Sequence, residues 1–221
     1  MAPLKSMDSL SPAEGLHLLK EGNKRFVANN STLVTHGWRA GLGEGQKPFA
    51  VVVGCSDSRA PAELVFDQGL GQLFVVRVAG NVIAPSGIGS VEFAAAQFGT
   101  RLVVVMGHTQ CGAIAATCES IRNGDTPESR NLRSITERIR PHVEDLVRLE
   151  EEAKVSPELV LRHAIRANAR SCADRLRHGS ELIESLVEEG WLHVVPSVYD
   201  LSTGEVEFFD RISPLSTSTS S

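Results

Sequence analysis

Aromatic side chains are scarce: eight phenylalanines, two tryptophans and one tyrosine make up 5% of the 221 residues. Cations are outnumbered as well, with 22 lysines and arginines against 27 aspartates and glutamates, a formal net charge of −5. Without a basic stripe or interleaved aromatics on which bases stack, nucleic-acid binding is excluded as the main role. The four cysteines do not amount to a disulfide scaffold, and no C-x-x-C pair marks a thioredoxin-like redox site. No apolar run reaches the roughly 20 residues a spanning helix needs. Met1 to Leu10 lacks the apolar core of a secretory signal. The expectation is a cytoplasmic protein with no membrane partner. Gly69-Leu70-Gly71 and Gly87-Ile88-Gly89 complete neither a dinucleotide nor a P-loop fingerprint, and read as turns.

The length suits a single α/β domain over residues 1–221, large enough to bury a substantial core. Residues 1–45 read as a helical arm and loop, and the serine- and threonine-rich stretch 213–221 as a disordered tail. Ser11-Pro12-Ala13-Glu14 starts the arm with a capping serine, a proline at the first helical position and an early acid. His36 and Trp38 fall in the glycine-rich loop that follows, where a histidine reads as solvated. Short helices are predicted over Ala60–Phe66 and Gly89–Gly99, then a long charged helical region from Asn131 to His178, broken near Pro141 and at Ser156-Pro157. Ser180 to Glu189 makes one more helix. Trp191–Val195 reads as a strand, and Tyr199–Phe208 as strand, turn, strand.

Three short apolar runs matter most: Ala50–Gly54, Leu73–Arg77 and Arg101–Gly107. The first and third, β-branched runs with helical patterns between them, predict parallel strands buried on both faces of a sheet, and the second reads as a further strand. The fold class is therefore α/β, a central mostly parallel β-sheet flanked by helices, with the N-terminal helical arm. Directly after the first run stands Cys55-Ser56-Asp57-Ser58-Arg59, and after the third His108-Thr109-Gln110-Cys111. Both motifs thus sit at carboxyl ends of strands, where open α/β sheets place their ligands.

Two thiolates and one imidazole suit zinc, and three protein ligands leave a position for water or substrate, as in catalytic rather than structural sites. A metal there lowers the pKa of its water to about 7. Asp57 lies close enough in sequence to reach the open position, as hydrogen-bond acceptor or as fourth ligand in a closed state, and Arg59 can hold that carboxylate. A phosphatase loop needs an arginine six residues beyond the cysteine, where Pro61 stands. Cys118 and Cys172 read as small buried hydrophobes.

C-x-D-x-R followed by H-x-x-C on such strands resembles the β-class carbonic anhydrases, most specifically from Gln46 to Gly112 and more loosely through Tyr199–Gly204. The resemblance implies reversible hydration of carbon dioxide to bicarbonate and a proton by metal-bound hydroxide. It implies one Zn2+ per chain on Cys55, His108 and Cys111, with Asp57 and Arg59 as the catalytic dyad. It also implies a homodimer or tetramer whose amino-terminal helices embrace the partner, with Gln46 binding substrate and Phe74 walling the carbon dioxide pocket. Val52 stands where some members carry a tryptophan for regulatory bicarbonate, although Arg77 matches another part of that regulatory site. Hydrolysis of carbonyl sulfide or carbon disulfide, and a non-enzymatic zinc- or bicarbonate-sensing module, are the alternatives.

Overall fold

The computed structural model describes residues 9–33 and 42–209, with the backbone alone for 150–153. His36, Trp38 and the tail 213–221 lie outside the described residues. The sheet contains β1 (Ala50–Gly54), β2 (Leu73–Arg77), β3 (Leu102–His108), β4 (His193–Tyr199) and β5 (Val206–Phe208), in the order β2-β1-β3-β4-β5. The first four run parallel and β5 pairs antiparallel to β4. Alternation sends Val51, Val53, Val103 and Val105 to one face and Ala50, Val52, Leu102 and Val104 to the other, and both faces are covered. That double burial is why the strands read as unbroken apolar runs.

One face is closed by α3 (Pro85–Phe98), α6 (Pro157–His178) and α7 (Glu181–Glu188), the other by α1 (Pro12–Val27) and α2 (Ala62–Val65). A third cluster joins α4 (Gly112–Asn123), α5 (Arg130–Ala153) and α6 around Cys55 and Cys111. Ser11 and Glu14 form the expected capping box at the start of α1. Helix α1 packs on its own chain, burying Leu16, Leu19 and Asn23. The approach is so close that a Cβ on Gly22 would stand 1.7 Å from the Phe66 carbonyl oxygen. Asn23 locks the contact, donating to the carbonyls of Val65 and Gly204 and accepting from the Val206 amide.

Three sequence expectations are corrected. Helix α3 begins at Pro85, whose fixed φ suits a first helical position, so Gly87-Ile88-Gly89 is helix rather than turn. Helix α5 runs unbroken through Pro141. The proline lies on the exposed face while Ile135, Ile139, Val143 and Val147 pack beneath, and that packing outweighs one lost hydrogen bond. The strand expected to stop at Val195 is the single strand β4 through Tyr199, with Pro196 inside it and Trp191 and Leu192 ahead of it.

Asp67, just beyond α2, ties the end of α1 and the segment at Ser31 and Thr32 to the end of α2. Its buried carboxylate accepts from Arg25 Nε at 2.5 Å, Ser31 Oγ at 2.5 Å and Thr32 Oγ1 at 2.9 Å. Burial alone would raise its pKa, but these donors win and hold it at about 2. A depressed carboxylate contributes stability above its unfolded pKa and loses it as pH falls toward the folded value. Asp67→Asn is expected to destabilise the fold by about 2 kcal/mol at neutral pH, with Tm lower by about 4–8 °C. The deficit should shrink between about pH 4 and pH 2. Denaturant unfolding of both proteins across that range checks it, and a deficit independent of pH would remove Asp67 from this role.

Candidate metal centre

Parallel register brings the two motifs together. Gly54 aligns with Met106 on β3, so Cys55 emerges beside the end of that strand, and His108 is the last residue of β3. Gln110 takes a left-handed conformation, φ 56°, which turns the chain so that Cys111 becomes the N-cap of α4. The donor atoms of Cys55, His108 and Cys111 all lie within 4.8 Å of one another, and all three residues are buried.

Two of the donors are aimed by neighbours. His108 Nδ1 lies 2.9 Å from the Thr109 carbonyl oxygen, which only accepts, so Nδ1 carries the proton and Nε2 presents a lone pair. That Nε2 is buried with no partner among the described residues. Thr109 is itself fixed: its amide donates to the Tyr199 carbonyl, and its hydroxyl accepts from the Leu201 amide. The Gly80 amide donates to Cys55 Sγ at 3.3 Å. Gly80 has φ 65°, and a Cβ there would stand 2.9 Å from Ile139 Cδ1, so a side chain at this position is strained and displaces Ile139. The buried Asn168 side chain holds this turn from α6, donating to the Gly80 carbonyl at 2.9 Å.

The two thiols share a charge. Cys55 is drawn down to about 3, first by the Cys111 thiol and against its own burial, then by His108 and the amides of Asp57 and Gly80. Cys111 is pushed up by the same hydrogen bond and by burial. Burial opposes ionisation of His108, but the Cys55 thiolate, the Thr109 carbonyl and Asp57 outweigh it and raise its pKa. An anionic, sulfur-rich cluster with a bare imidazole nitrogen is a cation site by its chemistry.

Asp57 stands at the rim. Its Oδ2 is 3.8 Å from His108 Nε2 and its side chain is 18% exposed. Arg59 grips it in a fork: Nε to Oδ1 at 3.0 Å and Nη2 to Oδ2 at 2.8 Å, with the Arg59 amide on Oδ1 at 2.9 Å. The Arg59 guanidinium accordingly holds the Asp57 carboxyl well below the usual carboxylate range, although partial burial works the other way.

Residues 50–206 match the family model described as carbonic anhydrase. The chain is 40% identical over 210 residues to carbonic anhydrase 2 of Mycobacterium tuberculosis, covering 93% of this chain and 97% of that protein. It is 39% identical over 209 residues to the carbonic anhydrase of Mycolicibacterium smegmatis, covering 91% and 95%. Its fold superposes on the β-carbonic anhydrase CcaA with a TM-score of 0.65 at 25% identity, over 92% of this chain and 91% of that one. For the β-carbonic anhydrase CafA of Aspergillus fumigatus the TM-score is 0.67 at 27% identity, over 87% and 89%.

The chain belongs to the β-class carbonic anhydrase family.

Two of the expected site residues of this carbonic anhydrase lie elsewhere in the protomer. Gln46 precedes β1, and Phe74 is the second residue of the parallel strand β2, paired with Val51, so both stand toward the amino-terminal ends of these strands, away from the carboxyl end of β1 that carries the cysteine motif. Gln46 lines a cavity of about 560 Å³ with Phe49, Gln72, Gln97 and Phe98, while Phe74 packs against Phe93 and Phe98. Within one chain the structure thus brings together Cys55, His108, Cys111, Asp57 and Arg59, and leaves Gln46 and Phe74 apart from them.

Three contributions escaped the sequence reading. Gly80 was legible only as a turn and Asn168 only as one residue of a long helix, while Arg77 was matched to a regulatory bicarbonate site and not to the cysteine loop. Yet Arg77 Nε donates to the Cys55 carbonyl at 2.9 Å and its Nη2 to the Asp57 carbonyl at 2.5 Å. Residue type carries no such signal, because each contact has a main-chain atom on one side and spans twenty residues or more in sequence.

Proposed function

We propose that this β-class enzyme catalyses the reversible hydration of carbon dioxide to bicarbonate and a proton, with one zinc held by Cys55, His108 and Cys111. The observation that carries the reading is the buried, unpartnered His108 Nε2 facing two thiols, with the Asp57–Arg59 pair beside it. Zinc bound by two thiolates and an imidazole supplies a Lewis acid that brings a coordinated water to a pKa near 7. Asp57, kept ionised by Arg59, accepts a hydrogen bond from the reacting water and fixes its orientation. Its depressed pKa makes it an acceptor throughout the neutral range and not a proton carrier, so the released proton passes to solvent or buffer. In a closed state the same carboxylate would move from Arg59 to become the fourth ligand.

Gln46 and Phe74 would act on the site of a second copy in a homodimer or a tetramer. Their position at the far end of the strands supports this, and two similarly folded carbonic anhydrases of Sordaria macrospora are tetrameric. None of the four cysteines is in a disulfide and all are buried, which suits the reducing cytoplasm as the location. Among the described residues no helix is long and apolar enough to cross a membrane.

Stopped-flow hydration from pH 6 to 9, on protein whose zinc has been quantified, tests the proposal. The expected result is about one zinc per chain with turnover far above the buffer background. Full zinc with no hydration would overturn it and turn attention to carbonyl sulfide or carbon disulfide.

A further inference from the structure

The segment that ends β2 grips the loop carrying the first cysteine at several points. The Val78 amide donates to the Gly54 carbonyl at 3.1 Å, and the Gly80 amide to Cys55 Sγ at 3.3 Å. Between them the Arg77 guanidinium spans the carbonyls of Cys55 and Asp57. The Asp57 carbonyl takes a second bond from the Ala60 amide at 3.1 Å. From Cys55 to Arg59 the loop has no strand or helix of its own, and Ser56 at its centre is exposed. Arg77 is therefore the side chain that fixes how far the Asp57 peptide stands from the Cys55 peptide.

We propose that Arg77 is a positioning residue: by joining the carbonyls of Cys55 and Asp57 it holds the Asp57 carboxylate beside Arg59 at the rim of the metal site. The inference rests on the reading of Asp57 as acceptor at a zinc centre. Two donors on one rigid plane suit two carbonyls separated by a single residue. A lysine ammonium, a point charge on a flexible stem, reproduces that span poorly. Released from Arg77, the Asp57 carbonyl keeps only the Ala60 amide, and the loosened peptide lets the carboxylate leave the Arg59 fork while the three metal donors stay in place. Supporting groups of this kind are worth about 10- to 100-fold in activity.

The test compares wild type, Arg77→Ala, Asp57→Ala and the double variant, each with its zinc content measured. Arg77→Ala is expected to keep zinc at the wild-type level and lose about 10- to 100-fold in kcat. Hydrogen exchange at the Arg59 and Ala60 amides, both of which donate to Asp57, should quicken in that variant. The double variant should be no slower than Asp57→Ala alone, because a residue that acts through Asp57 has nothing left to position. Unchanged kcat at full zinc, or losses that multiply in the double variant, would overturn the proposal. The second outcome would give Arg77 a separate role, such as direct anion binding. Arg77→Lys, judged on the same measurements, serves if the alanine variant does not fold. A wild type that holds zinc yet hydrates no carbon dioxide would sink the proposed function, whereas amide exchange reports on the clamp whatever the reaction.

Discussion

Cys111→Ser is expected to purify without stoichiometric zinc and to hydrate carbon dioxide at the buffer background. Serine is nearly isosteric, so the change removes the thiolate and little else. A hydroxyl does not ionise near neutral pH and is a poor zinc ligand, leaving a set of one sulfur and one nitrogen. The site is buried, with Cys111 1% exposed, and the nearby Asp57 carboxylate, a hard oxygen donor held in the Arg59 fork, is a poor replacement for the lost thiolate. The loss should reach beyond activity. Metal binding stabilises the fold in which the ligands are gathered, so the variant should also lose the increase in Tm that zinc gives the wild type. Cys55→Ser should behave alike, since its sulfur is an equal member of the set. Metal analysis, stopped-flow hydration and thermal unfolding with and without a chelator check all of this. Stoichiometric zinc with normal turnover in Cys111→Ser would remove this cysteine from the ligands.

The central strands and the cysteine–histidine cluster were legible because their signals are local and strong. Val51 to Val53 and Val103 to Val105 are buried on both faces, and a run with no polar partner residues has few other places to go. Cys55, His108 and Cys111 are rare, chemically specific residues, and parallel strands leave their carboxyl ends together. Where the reading failed, tertiary packing overrode a local rule. Pro141 looks like a break and the strand before Pro196 looks complete at Val195, but the first proline rides the outer face of a helix anchored by Ile139 and Val143. The second lies in a strand hydrogen-bonded on both sides, its carbonyl accepting from the Phe209 amide at 3.0 Å. Glycines 87 and 89 look like a turn, but Val91, Ala94 and Ala95 further along α3 bury against the sheet and carry the helix back to Pro85. The supports of the site were hidden for a different reason. Arg77, Gly80 and Asn168 act on backbone atoms or through a backbone amide, and such contacts become visible only when the register is known.

Asp57→Ala is the variant in which metal and activity should part company. None of the three donors is altered, and the bonds that aim two of them, from His108 Nδ1 to the Thr109 carbonyl and from the Gly80 amide to Cys55, do not involve the Asp57 side chain. Zinc should therefore remain at about one per chain, while kcat falls by about 100-fold or more, the scale on which a preorganised partner of the reacting group acts. Arg59, 52% exposed, loses its partner but remains hydrated, so folding stability should change little. Asp57→Asn separates charge from shape. The amide oxygen can still accept from Arg59 Nε, but the position of Oδ2, now 3.8 Å from His108 Nε2, would hold an NH2 group that donates where an acceptor is required. The asparagine variant should therefore be no faster than the alanine one. Turnover measured per bound zinc decides the matter: an unchanged rate in Asp57→Ala would refute the acceptor role, and recovery of activity in Asp57→Asn would mean that the carboxylate serves only to fill space beside Arg59.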